Sequence, residues 1–318
     1  MQRMLDDETM SEATLPQDAA RKSLATWRSR HHEASEQQPV VVIEPRPETF
    51  LARMRALWRY RAFYNFLFKE ITMRRARGTL LGFWWLILRP LIPAASLIFA
   101  FGAVTQVDTQ SKIPYPVFFL SAYIPFHLFQ SSMRYLPRSL NWSRTLMRRT
   151  YFPRLLVPLA GFGLPLIEAG ALSAAFVIVV FLTWWRGQPF PLHLGWQTLL
   201  LIPSVLMAMA FALAFGLVFS IVALFFRDVI FSLRFFTMIT LLMTPVVYPV
   251  TFIPDAYRWV LYVINPMAQV VLVSRWALTG EGVFEPAYAL LSCVVVLLAL
   301  FAGVVFFLRA EVHLGDQM

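Results

Sequence analysis

From Leu80 onward the chain alternates long apolar runs with short charged breaks. Six runs each supply the ~20 helical residues needed to cross a hydrocarbon core of ~30 Å. They lie near Trp85 to Val107, Tyr115 to Leu136, Leu155 to Trp185, Trp196 to Phe226, Phe235 to Phe252 and Pro286 to Leu308. The stretch from Pro254 to Glu285 is apolar too, but Asp255, Arg258, Pro266, Arg275, Gly280 and Glu281 interrupt it too often for a seventh span. Two short helices, Ala256 to Ile264 and Met267 to Leu278, fit there and can re-enter the outer leaflet where protein covers their irregular backbone. The pattern predicts an all-α polytopic membrane protein with six transmembrane helices and a re-entrant pair between spans 5 and 6.

Ahead of these runs the period changes. Leu51, Met54, Leu57, Trp58, Phe63, Tyr64, Leu67, Phe68 and Ile71 recur at helical spacing, interleaved with Arg53, Arg55, Arg59, Arg61, Lys69, Arg74, Arg75 and Arg77. A basic amphipathic helix over residues 51–78 suits the headgroup layer, where cations meet anionic lipid; the other reading is a solvated helix packed on protein. Before it, Val40-Val-Val-Ile43-Glu-Pro-Arg-Pro47 reads as a short extended segment, since its prolines exclude helix. Residues 1–39 lack a sustained apolar period and are expected to be a polar tail, so residues 1–50 form a separate cytoplasmic stretch. Residues 79–318 hold the spans.

Composition agrees with a lipid solvent: 58% of the residues are hydrophobic and 14% charged, and the mean hydropathy is +0.60. A soluble domain is about half apolar and a quarter charged. The net charge of +10 is uneven, because residues 1–48 hold nine of the 18 acidic side chains. The remaining arginines stand between uncharged runs, which reads as topology-setting flanks and not as a nucleic-acid footprint. Arg134, Arg138, Arg144, Arg148, Arg149 and Arg154 follow one another without an acid, so this loop is expected to be cytoplasmic. Six spans then place both termini in the cytoplasm. No signal-peptide pattern precedes Leu80, in keeping with a cytoplasmic N-terminus.

Several chemistries are excluded. The three lysines, Lys22, Lys69 and Lys112, never follow glycine, so a Gly-Lys-Ser/Thr phosphate loop is impossible in this chain. His31, His32, His127, His193 and His313 are scattered, without a His-Glu-x-x-His pair, and are read as bland. The single cysteine, Cys293, forms neither an internal disulfide nor a multi-cysteine metal site. Within the expected spans only Glu168 is acidic at mid-span, while Arg89 and Arg134 lie near span ends where they can snorkel. No catalytic, cofactor or metal residues are assigned.

Particular segments nevertheless resemble a known family. Val42-Ile-Glu-Pro45, Leu57-Trp-Arg-Tyr60, Leu81-Gly-Phe-Trp-Trp85 and Arg89-Pro-Leu91 come first. Tyr151-Phe-Pro-Arg-Leu-Leu-Val-Pro158, Phe226-Arg-Asp-Val229, Thr244-Pro-Val-Val-Tyr248 and Asn265-Pro266 follow in order. Together they resemble the polysaccharide-type permeases of ABC-2 exporters, over residues 40–309. Arg89 stands where that family more often has an uncharged or acidic residue.

The resemblance implies an exporter permease of the bacterial inner membrane: a homodimer that binds two copies of an ABC ATPase and moves a lipid-linked glycan such as O-antigen, teichoic acid or capsule. ATP and Mg would sit on the partner subunit, and nucleic acid has no part. It further implies that Tyr151, Phe152, Pro153 and Arg154 dock on the ATPase, with Arg227 and Asp228 as further coupling residues; the Tyr-Phe pair is expected to be exposed. Arg74, Arg75 and Arg77 would meet the phosphates of the lipid carrier where substrate enters, and Trp84 and Trp85 would stack on its first sugars. Phe83, Tyr123 and Phe126 are candidates for a conduit. Glu168 is read either as a structural hydrogen-bonding group or as a polar spot on that conduit. Two other readings stand beside this one: an ABC-2 permease for a small lipid or drug, and a membrane-embedded glycan-modifying enzyme. The latter needs acid, base or nucleophile in a cleft, and none is paired at the inner face.

Overall fold

The computed structural model describes residues 58–76, 81–82, 84–110, 112–150, 152–193, 195–226 and 228–314. Every regular element among them is helical, as the pattern predicts. The extended segment near Val40 lies outside the described residues. In chain order the helices are α1 (Arg61–Ala76), α2 (Trp84–Ile98), α3 (Tyr115–Trp142), α4 (Arg144–Arg149), α5 (Leu156–Gly161), α6 (Gly163–Trp185), α7 (Leu201–Phe225), α8 (Asp228–Met243), α9 (Asp255–Ile264), α10 (Pro266–Thr279) and α11 (Pro286–Leu314).

Helix α3 is the axis of the bundle and packs against α2, α5, α6, α7, α8 and α10. Its 28 residues extend ~42 Å at 1.5 Å each, beyond the ~30 Å of a hydrocarbon core. Serines make its interior less apolar than its neighbours, yet they are internally satisfied. Ser121, Ser132 and Ser139 donate to the carbonyls of Phe118, Leu128 and Leu136 at 2.9, 2.6 and 2.7 Å, the usual way a hydroxyl is carried within a buried helix.

Close approach to α3 is written into α7. Ser204, Ala208, Ala212, Gly216 and Ser220 are all buried and recur at four-residue spacing. Without water to drive association, such small-residue stripes let helix backbones come into van der Waals range. A Cβ at Gly216 would lie 2.3 Å from Leu136 Cδ2 of α3. Around the helix, Ala214 meets Gly303 of α11, where an added Cβ would sit 2.6 Å from the Ala214 carbonyl oxygen.

By length and composition, the stretches Trp84–Val104, Leu156–Trp185, Trp196–Phe225 and Pro286–Glu311 can each cross a membrane. The expected third span is broken at Phe162, between α5 and α6. The expected fifth span, Phe235 to Phe252, is displaced. Helix α8 starts at Asp228 and stops at Met243, because Pro245 and Pro249 cannot continue the ladder. The two short helices form with an angle of 107° between them. Asn265 sets the corner: its side chain accepts from Met267 N–H at 3.1 Å and donates to Thr244 Oγ1 at 2.9 Å, with Pro266 at the first helical position. Gly280 closes α10 at φ 71°.

Helix α1 turns its apolar stripe toward protein. Leu67 and Ile71 are buried with Leu155, Leu156 and Tyr135, and Gly163 lies so close to Phe68 that a Cβ would approach it to 2.3 Å. Trp58 and Phe66 stay exposed, and residues 51–57 of the expected helix lie outside the described residues.

The Gly303 contact is testable. Gly303→Val is expected to wedge α7 from α11 at a cost of about 1–3 kcal/mol, the usual penalty for overpacking, seen as a lower midpoint of thermal unfolding of the purified protein. Gly170→Val, where no atom lies within 4 Å of the added Cβ, should leave the midpoint unchanged.

Candidate functional site

Tyr123, His127, Arg134, Tyr135 and Arg138 lie on α3 at offsets of 4, 11, 12 and 15 residues from the first. Those offsets wind round to one side of a 3.6-residue helix. Glu168 of α6 meets this stripe and is fully buried. Its Oε2 lies 3.0 Å from His127 Nε2 and 3.1 Å from Arg134 Nη2, and its Oε1 accepts from the Tyr135 hydroxyl. With the proton on His127 Nε2, Nδ1 accepts from Tyr123 Oη at 3.3 Å. Tyr135 in turn accepts from Arg89 Nη1 of α2 at 3.1 Å. Three helices are thus tied through one carboxylate.

An ionised carboxylate in such a place costs several kcal/mol unless donors surround it. Here both oxygens accept hydrogen bonds, so Glu168 is held as a charge anchor between the helices. Beside it, α2, α3 and α8 enclose a cavity of about 560 Å³ into which Arg89, Arg134, Arg138 and Arg234 project.

A second polar centre is built around Arg275 of α10. Its guanidinium donates to the carbonyls of Pro245 (2.9 Å), Val246 (3.0 Å) and Phe118 (3.4 Å) and lies 3.7 Å from the Phe118 ring centroid. Carbonyls and an aromatic face here stand in for a counter-ion, and they pin α10 to the unwound chain after α8. Among the described residues, no three His, Cys, Asp or Glu side chains gather to hold a metal.

With this geometry in hand, residues 63–279 match the family described as ABC-2 type transporter. The chain belongs to that family. As an ABC-2 permease it is a multi-pass membrane protein and a transport subunit. An O-antigen export system permease protein RfbA of Klebsiella pneumoniae is 28% identical over 204 residues, 63% of this chain and 74% of that protein. Its namesake in Myxococcus xanthus is 26% identical over 249 residues, 77% of this chain and 92% of that protein.

The residues expected to matter are not gathered in one place. Trp84 and Trp85 open α2 and are exposed. Arg74 and Arg75 belong to α1, with side chains outside the described set; Arg77, Phe83, Tyr151 and Arg227 lie outside it altogether. Tyr123 and Phe126 are buried in the main core with Glu168 against it, so none of the three faces an open passage in this conformation. For Glu168 the geometry favours the structural hydrogen-bonding reading.

Phe152 corrects an expectation. It is 5% exposed, its ring 4.6 Å from that of Phe63, because α1 covers it; an exposed Tyr-Phe pair is not what the permease presents. Arg154 is held to α11, its backbone N–H donating to Glu311 Oε1 at 3.0 Å and its Nη1 to the Glu311 carbonyl at 3.2 Å. Pro153 is half-buried and Asp228 is exposed at the first turn of α8. His127 is not bland, and Arg134 pairs with Glu168 instead of snorkelling alone. The helical spacing of His127, Arg134 and Tyr135 was the signal for both.

Removing the anchor should loosen the permease. Glu168→Ala is expected to destabilise it by about 1–3 kcal/mol, since three donors lose their acceptor while Arg134 stays partly hydrated. Glu168→Gln, which keeps the shape, should cost less. Thermal unfolding in detergent checks the order.

Proposed function

We propose that this ABC-2 permease is the membrane subunit of an ATP-driven exporter that moves a lipid-linked polysaccharide across the bacterial inner membrane. The observation that carries the reading is the likeness, over 249 residues, to a protein named for O-antigen export. Helices α2, α3, α5 with α6, α7, α8 and α11 serve as the six spans, and α9 and α10 form the outer re-entrant pair. Helix α8, at 16 residues, reaches ~24 Å, and the Arg275-bound segment completes its path. Both termini and the arginine-rich loop after Arg134 face the cytoplasm. Helix α1 lies at the inner headgroup layer, its buried stripe on protein and its cations toward lipid.

The permease works as a homodimer with two copies of a separate ABC ATPase, which bind ATP and Mg, because no lysine of this chain can serve a phosphate loop. The ATPase docks on the cytoplasmic loop carrying Tyr151, Pro153 and Arg154 and on the turn at Arg227 and Asp228. Phe152 supports this surface from below. Arg74, Arg75 and Arg77 capture the carrier's phosphates, and the exposed Trp84 and Trp85 stack on its first sugars.

Deletion of the gene tests the reading. Surface polysaccharide should disappear while lipid-linked polymer accumulates inside the cell. The wild-type gene should restore export, and Arg74→Glu with Arg75→Glu should not, at equal protein level. Intact surface polysaccharide in the deletion strain contradicts the proposal and favours a small lipid or drug as substrate. Loss of intracellular polymer synthesis instead favours the enzyme reading.

A further inference from the structure

Four arginines from three helices converge on the cavity between α2, α3 and α8. Each sits at a similar depth. Arg89 and Arg234 lie five and six residues inside the starts of α2 and α8, and Arg134 and Arg138 eight and four residues inside the end of α3. At 1.5 Å per residue these are ~6–12 Å from the helix ends. All three ends adjoin the cationic segments, so on the topology proposed above the arginines form one layer in the cytoplasmic half of the membrane.

The layer is under-neutralised. Of the four arginines only Arg134 touches Glu168, and no carboxylate lines the cavity among the described residues. A guanidinium carries five N–H donors. One is used on Arg89, to Tyr135; one on Arg134, to Glu168; and one on Arg138, to the Arg134 carbonyl at 2.5 Å. Arg134 Nε is buried without a partner, and no acceptor among the described residues pairs with Arg234. Like charges lining one cavity repel. A multiply charged oxyanion relieves that repulsion and fills the idle donors; bidentate arginine pairing with phosphate is the strongest such contact.

The surroundings indicate how the anion arrives. On α8, Leu233, Arg234, Thr237 and Leu241 face the cavity, while Phe231, Phe235 and Leu242 are exposed on the other side of the helix. Met238 belongs to both, lining the cavity and 62% exposed. The site therefore opens across an apolar rim at hydrocarbon depth, where a free anion is poorly placed and an acyl or prenyl chain is at home.

We infer that this cavity seats the phosphate or pyrophosphate headgroup of a lipid carrier, with Arg138 and Arg234 as its main ligands and Arg134 shared between that headgroup and Glu168. The inference rests on the export reading for the identity of the lipid and deepens it: Arg74, Arg75 and Arg77 gather the carrier at the surface, and the cavity holds it.

The test is direct binding to the purified full-length permease in nanodiscs, with a radiolabelled polyprenyl pyrophosphate as probe. Wild-type protein should bind it, with affinity falling as salt rises. Arg138→Gln with Arg234→Gln should weaken binding at least ~10-fold, about 1.4 kcal/mol, and Arg234→Lys should weaken it less. Arg186→Gln, outside the cavity, should change nothing. Inorganic pyrophosphate should compete only weakly and phosphatidylglycerol not at all. Competition by inorganic pyrophosphate at equal concentration would assign the cavity to a free anion, and equal competition by phosphatidylglycerol to any acidic lipid; either overturns the proposal.

Phenylglyoxal labelling of Arg234 in the wild type, read by mass spectrometry, needs no variant. The polyprenyl probe should protect it, and unaltered labelling overturns the site whether or not the variants fold. Wild-type binding by a monodisperse double variant does the same while leaving the export reading intact. Binding here by a permease whose deletion spares surface polysaccharide would keep the site and remove the export reading.

Discussion

Hydrocarbon offers no hydrogen bonds, so each polar group within the bundle must find its partner in protein. The arrangement of α2, α3 and α6 follows from applying that constraint to one carboxylate. Glu168 recruits His127, Arg134 and Tyr135 from α3, and through Tyr135 it reaches Arg89 of α2. The small-residue stripe of α7 fixes the opposite side of α3 by shape alone. Charge on one side and shape on the other make the central helix the reference against which the remaining elements are set.

The same constraint governs the end of the bundle at α10 by different means. Arg275 has no acidic partner among the described residues and is satisfied by three carbonyls and a phenyl face. The carbonyls of Pro245 and Val246 are free because Pro245 stops α8 at Met243. Proline creates these two acceptors and arginine consumes them, so the two features are one device for holding an irregular segment.

Much of this was legible in the linear pattern and some was not. Apolar run length located the chain's long helices, and the breaks between Pro254 and Glu285 gave the two short ones to within a residue or two. The fifth span was misjudged because run length continues through Pro245, where backbone geometry does not. Phe152 was misjudged because a loop aromatic reads as exposed until the stripe of α1 is known to cover it. The polar network was hidden for another reason: Glu168 and His127 lie 41 residues apart, and run length weighs each helix alone. Only the spacing along α3 pointed to it. The four-arginine cavity has no linear signature at all, since its members come from three helices and acquire meaning from their common depth.

On the export reading proposed above, the permease meets the substrate and leaves the energy to a partner. Reconstitution tests that division of labour most directly. The permease is placed in proteoliposomes with its partner ABC ATPase, and ATP hydrolysis is followed as purified lipid-linked polysaccharide is added. The account predicts no hydrolysis by the permease alone, hydrolysis by the complex that rises with lipid-linked polymer, and no rise with polymer stripped of its lipid phosphate. A rate indifferent to the lipid-linked polymer, or hydrolysis by the permease on its own, would contradict it.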